Sequence, residues 1–311
     1  MTCLLGASAL SYSASAETSR QGVVFFCPAE IPKITVELDK IKADGFRLIE
    51  FAAWPWDLPL PGSDLETRAR TTLDWCDKND TEFFLIQNIQ YGDAGMGAGL
   101  DDALGDRAKA KSLCVDWARV LQGHPSVKGV ILGNETGAVK GNSRENPVWW
   151  KGFVAFLTER YETIGNLNRR WGTSYVQFDD IRDPIRADGA EIDIEEYAEK
   201  VFNAFYGELF RTVFKPVIPL GLFGSKVCAM MDPSIFYTCT DFTMVNWDDV
   251  VSMYPLWRMK ISGDIGLQLN KPVFNSELHL YLDGWDASTG PAAARYRYYL
   301  SLLNAEKRTA S

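Results

Sequence analysis

Two glutamates fall where a chain would hold them to cut a glycosidic bond. Glu135 closes the run Val127-Lys128-Gly129-Val130-Ile131-Leu132-Gly133-Asn134, and Glu277 closes Lys271-Pro272-Val273-Phe274-Asn275-Ser276. Each run is short and apolar, as a buried strand is, so each carboxylate falls at a strand's C-terminal tip. Glycosidic cleavage passes through an oxocarbenium-like transition state. One carboxylic acid protonates the departing oxygen, and a second carboxylate attacks the anomeric carbon or activates water for it. The two pKa values must be pushed apart, so that one group is neutral while the other is charged. Asn134, directly before the acid, can hydrogen-bond a sugar hydroxyl, a contact that strengthens in the transition state. The plainer alternatives are a helix-capping or solvated loop glutamate at 135 and a rim glutamate paired with Arg or Lys at 277. For a lone Asn-Glu the plain alternative prevails; the second strand ending in Glu277 tips the balance.

Other side chains near strand ends fit the same chemistry. Trp54 and Trp56 follow an apolar run at 47–53, and flat indole faces stack on pyranose rings; packing beneath a loop carrying Pro55, Pro59 and Pro61 accounts for them equally well. Asn88 and Gln90 end the run at 82–89 and can bond sugar hydroxyls. Trp247 and Trp285 can wall a cleft beyond two later strands. His279, close after Glu277, either orients that carboxylate or caps its loop. Trp149 and Trp150, at a helix start, read as packing. Glu50, within the run at 47–53, reads as a carboxylate inside the sheet or near its rim, and it needs a partner such as Arg47 or a lysine.

Several classes are disfavoured. With only two histidines, His124 and His279, a Ser-His-Asp hydrolase or a His-ligated metal centre is a poor fit. The six cysteines are scattered without a Cys-x-x-Cys pair, which argues against a zinc or redox motif. The glycines at 92–99 lack the Lys-Ser/Thr ending of a phosphate loop. The formal charge of −9 is wrong for nucleic acid. No stretch approaches the roughly 20 apolar residues of a membrane span. No metal and no cofactor is called for. Residues 1–16 hold a short apolar run and the small-x-small sequence Ala14-Ser15-Ala16, but no basic residue precedes the run. If they form an export signal the protein is secreted or periplasmic; otherwise it is cytoplasmic.

The elements that must position the glutamates alternate strand and helix. Strands read at 22–27, 47–53, 82–89, 127–134, 217–223, 242–246 and 271–276. Helices read at 32–43, 64–78 with Asp64 as N-cap, 101–122 ending at Gly123, 147–171, 194–214, 251–262 and 291–307. Apolar, non-alternating strands joined by helices argue for a parallel sheet. Seven such units suit a (β/α)8 TIM barrel, whose strand C-termini ring the active site, with the fourth and seventh strands facing across the rim. The expected organisation is an N-terminal segment at 1–20 and one barrel domain at 21–311. No C-terminal eighth strand is visible. A truncated chain is the first explanation; an N-terminal segment that fills the gap, or a partner subunit that closes it, are the others.

The stretch Arg160-Tyr161-Glu162-Thr163-Ile164-Gly165-Asn166-Leu167-Asn168-Arg169-Arg170-Trp171-Gly172-Thr173 resembles the RYGTIEALNRAWGT pattern of family 42 β-galactosidases. Strand-Asn-Glu at the fourth strand and strand-Glu at the seventh resemble the wider clan A of retaining glycoside hydrolases. The resemblance implies cleavage of β-glycosides with retention, Glu135 as acid/base, Glu277 as nucleophile, and an oligo- or polysaccharide substrate. It also allows for a homo-oligomer. Retention further implies carboxyl groups about 5–5.5 Å apart, against about 6.5–9.5 Å for inversion. The family's cysteine-rich metal site has no counterpart in the cysteine spacing. Two alternatives share these residues: an endo-β-glucanase or mannanase on the same barrel, and a non-catalytic carbohydrate-binding barrel.

Overall fold

A computed structural model of the protein describes residues 8–10, 20–53, 59–87, 107–136, 147–181, 187, 189–227, 239–247 and 273–278. Eight strands form one sheet in chain order: β1 Ser8–Leu10, β2 Arg20–Phe25, β3 Leu48–Ala53, β4 Glu82–Gln87, β5 Val127–Thr136, β6 Leu222–Val227, β7 Thr243–Trp247 and β8 Val273–Leu278. The seven strands read from the sequence are β2 to β8, and every neighbouring pair among them is parallel. β1 is different. It pairs antiparallel with β2, with Ser8 opposite Gly22 and Leu10 opposite Arg20. It also comes alongside β8 at the far end of the sheet, so the ring closes. Among the described residues, Ser8–Leu10 therefore lies in the gap left by the seven-strand count.

The helices described are α1 Ile31–Ala43, α2 Asp64–Lys78, α3 Arg107–Leu121, α4 Pro147–Tyr161, α5 Ile164–Trp171 and α6 Ala190–Leu209, the last continuing into a π turn at Phe210–Phe214. Their buried sides meet the outward faces of the strands. Ile49, Phe51, Phe83, Leu85, Val130 and Leu132 share one core with residues of the helices. The opposite strand face forms a smaller cluster with no helix member: Leu48, Phe84, Ile86, Ile131 and Phe242, with Leu222 beside them. This is a filled barrel interior rather than a pore. Glycines make room for its rings. A Cβ at Gly129 would strike the Phe84 ring, and one at Gly224 would strike Phe242. Phe84 and Phe242 meet edge to face at 6.3 Å.

Local boundaries differ from the sequence expectation at four points. Ser63, not Asp64, caps α2, its side chain accepting from the Glu66 amide. Both residues are good caps by type. The helix expected at 147–171 is broken in two at Glu162, whose φ is +60°. Thr163 then caps α5. The fifth strand expected at 217–223 lies further on, at Leu222–Val227, because the π turn and the turn after it take up the apolar residues Val217 and Ile218. The helix expected from 194 already begins at Ala190, after Gly189 at φ +87°. The helices expected at 251–262 and 291–307 lie outside the described residues, as do residues 101–106 of the one expected at 101–122. No helix among the described residues is long and apolar enough to cross a membrane.

Candidate functional site

The two glutamates lie on strands with broken register. Along β5, Leu132 pairs with Ser225 and the next pairing is Thr136 with Val227, so the ladder with β6 shifts across Gly133, Asn134 and Glu135. Gly133 has φ +79°, a conformation that residues with a Cβ adopt only at a cost. On the other side of the barrel, Val245 pairs with Asn275 and Asn246 with Glu277, so β8 gains a residue over β7 immediately before the glutamate. Irregularities of this kind gather at barrel rims beside active sites, where they re-aim a side chain and end pairing. Both interruptions fall at C-terminal strand ends, the rim on which barrel enzymes build their sites.

The other candidates distribute as follows. Asn134 lies with Glu135 in the last part of β5, and Trp247 is the final residue of β7, opposite Leu278. Trp54, Trp56, Asn88, Gln90, His279 and Trp285 lie outside the described residues. The chain positions next to three of them, Trp54, Asn88 and His279, are fixed, since β3 ends at Ala53, β4 at Gln87 and β8 at Leu278. The structure thus assigns Asn134, Glu135, Trp247 and Glu277 to C-terminal strand ends of one sheet. The expected short carboxyl separation concerns side chains outside the description.

Two polar residues near these ends were not singled out as site residues. Gln87, at the tip of β4, is fully buried, and its amide has no hydrogen-bond partner among the described residues. Its only signal in the sequence is a polar residue ending Glu82-Phe83-Phe84-Leu85-Ile86. Glu66 on α2 organises the segment that follows β3. It accepts from the Gly62 amide at 2.7 Å, from Arg70 Nε at 3.0 Å and from Arg119 Nη1. Arg119 Nη2 also donates to the Pro59 carbonyl at 2.7 Å. The Arg119 hydrogen bond, followed by that from Gly62, holds the Glu66 carboxyl down at about 2. Glu50 is buried on β3 as expected, whereas Arg47 sends its Nη1 to the carbonyls of Lys42 and Phe46.

Away from the rim, Asp74, Asp77 and His124 bring one potential metal-ligand atom each within 4.8 Å. Asp77 is already engaged there. Its Oδ2 meets His124 Nδ1 at 2.7 Å, and its Oδ1 accepts from the Ser126 amide at 2.9 Å. Burial pushes this carboxyl up, but hydrogen bonds from Ser126 and His124 outweigh that and leave it below its ordinary value. The group ties α2 to the turn before β5. Cys27, Cys76, Cys114 and Cys239 are all free thiols. Burial pushes the Cys27 thiol up to about 11, too high for a thiolate nucleophile near neutral pH.

The stretch Arg160–Thr173 turns out to be a polar joint. Asp193 of α6, 1% exposed, accepts from Tyr161 Oη and from Trp171 Nε1, both at 2.7 Å, and pairs with Arg160 Nε at 2.9 Å. Burial, then the bond to Asp193, raises the Tyr161 pKa. Asn166 Nδ2 donates to the Tyr161 carbonyl at 2.8 Å. Asn168 Oδ1 accepts from Thr173 Oγ1 at 2.8 Å and from the Tyr175 amide at 3.0 Å. Gly172, at φ +67°, ends α5 in the left-handed conformation a C-terminal turn requires. These motif residues fix how α4, α5 and α6 meet.

A ring of strands, parallel from β2 to β8 and joined by helices, is the architecture of a (β/α)8 barrel. Solved structures of that kind share the fold. A β-galactosidase from the psychrophilic Marinomonas ef1 matches with TM-score 0.55 and 16% identity over 72% of this chain and 40% of its own. A β-galactosidase from the Antarctic haloarchaeon Halorubrum lacusprofundi gives TM-score 0.55 and 13% identity over 75% and 42%. The catalytic domain of a β-amylase from Paenibacillus polymyxa gives TM-score 0.58 and 11% identity over 81% and 84%. The chain thus spans about two fifths of the two β-galactosidases. More specifically, the glycoside hydrolase family 42 model, described as Beta-galactosidase, matches residues 105–215. That interval contains both Asn134-Glu135 and the Arg160–Thr173 joint, so the resemblance to family 42 read from the sequence holds. A search of curated protein sequences finds no match.

Proposed function

We propose that this protein is a glycoside hydrolase that cleaves β-glycosidic bonds, β-galactosides first among them, with retention of configuration. The observation that carries the proposal is the coincidence of Asn134-Glu135, inside the family 42 match, with the interrupted end of β5. Glu277, at the corresponding interruption of β8, supplies the second carboxylate. In the first step the Glu277 carboxylate attacks the anomeric carbon while Glu135, as the acid, gives its proton to the departing glycosidic oxygen. The C–O bond breaks, and a glycosyl ester on Glu277 forms. In the second step Glu135, now a carboxylate, takes a proton from water. The resulting oxygen attacks the same carbon and frees Glu277. Two inversions leave the starting configuration. Asn134 bonds a hydroxyl of the sugar undergoing attack. Trp247, with Trp54, Trp56 and Trp285, offers stacking surface, and Asn88, Gln90 and His279 offer polar contacts.

The test is hydrolysis of a panel of nitrophenyl β-glycosides, with the first-formed anomer followed by proton NMR. Release of the β-anomer from the β-galactoside, abolished in Glu277→Gln, is the expected result. The α-anomer as first product would remove the nucleophile role from Glu277. Binding of saccharides with no turnover on any member of the panel would remove the hydrolase itself.

A further inference from the structure

The way the barrel closes carries an inference of its own. Eight staves are needed for a closed barrel of this kind, and the eighth here is β1, antiparallel to its neighbour in a ring otherwise built of parallel pairs. Three register positions join β1 to β2, against six between β3 and β4. On its other side β1 lies alongside β8, yet no ladder joins the two among the described residues. A sheet edge with unpaired backbone groups recruits whatever strand is at hand. Here β2 and β8 both have β1 beside them, and Ser8–Leu10, within the apolar sequence Leu4-Leu5-Gly6-Ala7-Ser8-Ala9-Leu10, supplies the strand from the same chain.

We propose that the seam between β2 and β8 is a strand-acceptor site, filled in cis by the segment around Ser8–Leu10 and open to the same segment supplied in trans as a peptide. Recognition is by backbone hydrogen bonding along β2, the β-augmentation mode in which an extended peptide adds to a sheet edge. A tethered strand competes at high effective concentration, in the millimolar range for a short flexible linker. The intact protein therefore masks the seam, and a protein lacking the segment exposes it. The seam lies beside β8, which carries Glu277, but the inference stands whether or not the rim hydrolyses a glycoside.

Directly opposed residues of an antiparallel pair have Cα atoms about 4.5 or 5.5 Å apart, both within disulfide range. Ala9 and Gln21 are such a pair. The full-length Ala9→Cys, Gln21→Cys double variant is oxidised with excess oxidised glutathione, and the peptide map is read by mass spectrometry. A 9–21 disulfide is expected, with neither single variant forming a bridge from its new cysteine. A folded double variant without that bridge overturns the proposal. The second measurement uses a variant lacking residues 2–12 and a fluorescent peptide of residues 4–12. Saturable binding to the shortened protein, at least about tenfold weaker to the intact one and absent for a scrambled peptide, is expected. Equal binding to both proteins, or none to a shortened protein whose circular dichroism and melting match the intact one, overturns it. So does native protein whose first residue, by N-terminal sequencing, lies beyond Ala16, because the segment would then be removed before it could serve.

Discussion

The joint at Arg160–Thr173 and the rim at Glu135 and Glu277 are opposites in how the sequence encodes them. The joint is a long, specific string whose side chains satisfy one another locally. Arg160, Tyr161 and Trp171 converge on Asp193, and Asn166 and Asn168 close turns within a few residues. The rim is the reverse, two unremarkable strand ends far apart in the chain. Barrel closure brings their strands into one ring, and interrupted ladders set them apart from their neighbours. The most legible motif of this protein is therefore architectural, while the residues proposed for the chemistry have hardly any local signature. A motif rich in hydrogen-bonding side chains needs no substrate to explain it when a buried carboxylate stands at its centre.

Substitutions at the two places should separate cleanly. The largest effect belongs to the rim: Glu135→Gln should lower kcat/KM by about 10²–10⁴-fold, the range for removing a positioned acid/base. Its melting temperature should stay close to that of the parent. A parallel loss of folding would move Glu135 from the chemistry to the scaffold. Asp193→Ala should do the opposite. It leaves the Tyr161 and Trp171 donors and the Arg160 charge without their shared acceptor, at about 3 kcal/mol. Urea unfolding should show a lower midpoint at unchanged slope, and the molecules that remain folded should keep their kcat.

Gly133→Ala tests the boundary between the two behaviours. The left-handed backbone costs a residue with a Cβ about 1–2 kcal/mol, and the same change shifts the strand that carries Glu135. A fall in kcat greater than the stability loss explains is expected in steady-state assays near neutral pH. An unchanged kcat would mean that the irregularity in β5 does not aim the acid.

Glu66 gives a pH signature for the turn at Pro59–Gly62 that it holds. Its folded pKa, about 2, lies below the ordinary 4.5, so the charged form is favoured by folding. The stabilisation is full above pH 4.5 and is lost as the pH falls toward 2. Thermal unfolding followed across that window should show a decline that is shallower in Glu66→Gln. The smallest effect is expected at the joint's edge: Thr163→Ala removes the cap of α5 and should cost about 1 kcal/mol, read as a modest drop in melting temperature.

The strands and helices were legible where an apolar run met a clear terminator. Gly123 at φ +86° ends the turn after α3, as the sequence indicated. Boundaries failed where two neighbours compete for one role. Ser63 and Asp64 both cap well, and the break at Glu162 depends on Asn166 reaching back to the Tyr161 carbonyl. Asn134, Glu135 and Glu277 were legible as strand-end residues because each follows an apolar run. The irregular registers around them were not, since a bulge is a relation between two strands and neither strand alone records it.

By itself the sequence determined the parallel strand-and-helix order, because fully apolar strands require cover on both faces, and it determined which strands end in carboxylates. Only the tertiary structure decided how the ring closes. An antiparallel stave from the N-terminal segment can pair with β2 as soon as the barrel's curvature brings β8 alongside, and no local pattern in eleven or so residues specifies a direction of pairing. It also decided that the family-like motif holds helices together. A carboxylate's role depends on what surrounds it, and for Asp193 those partners come from two other helices.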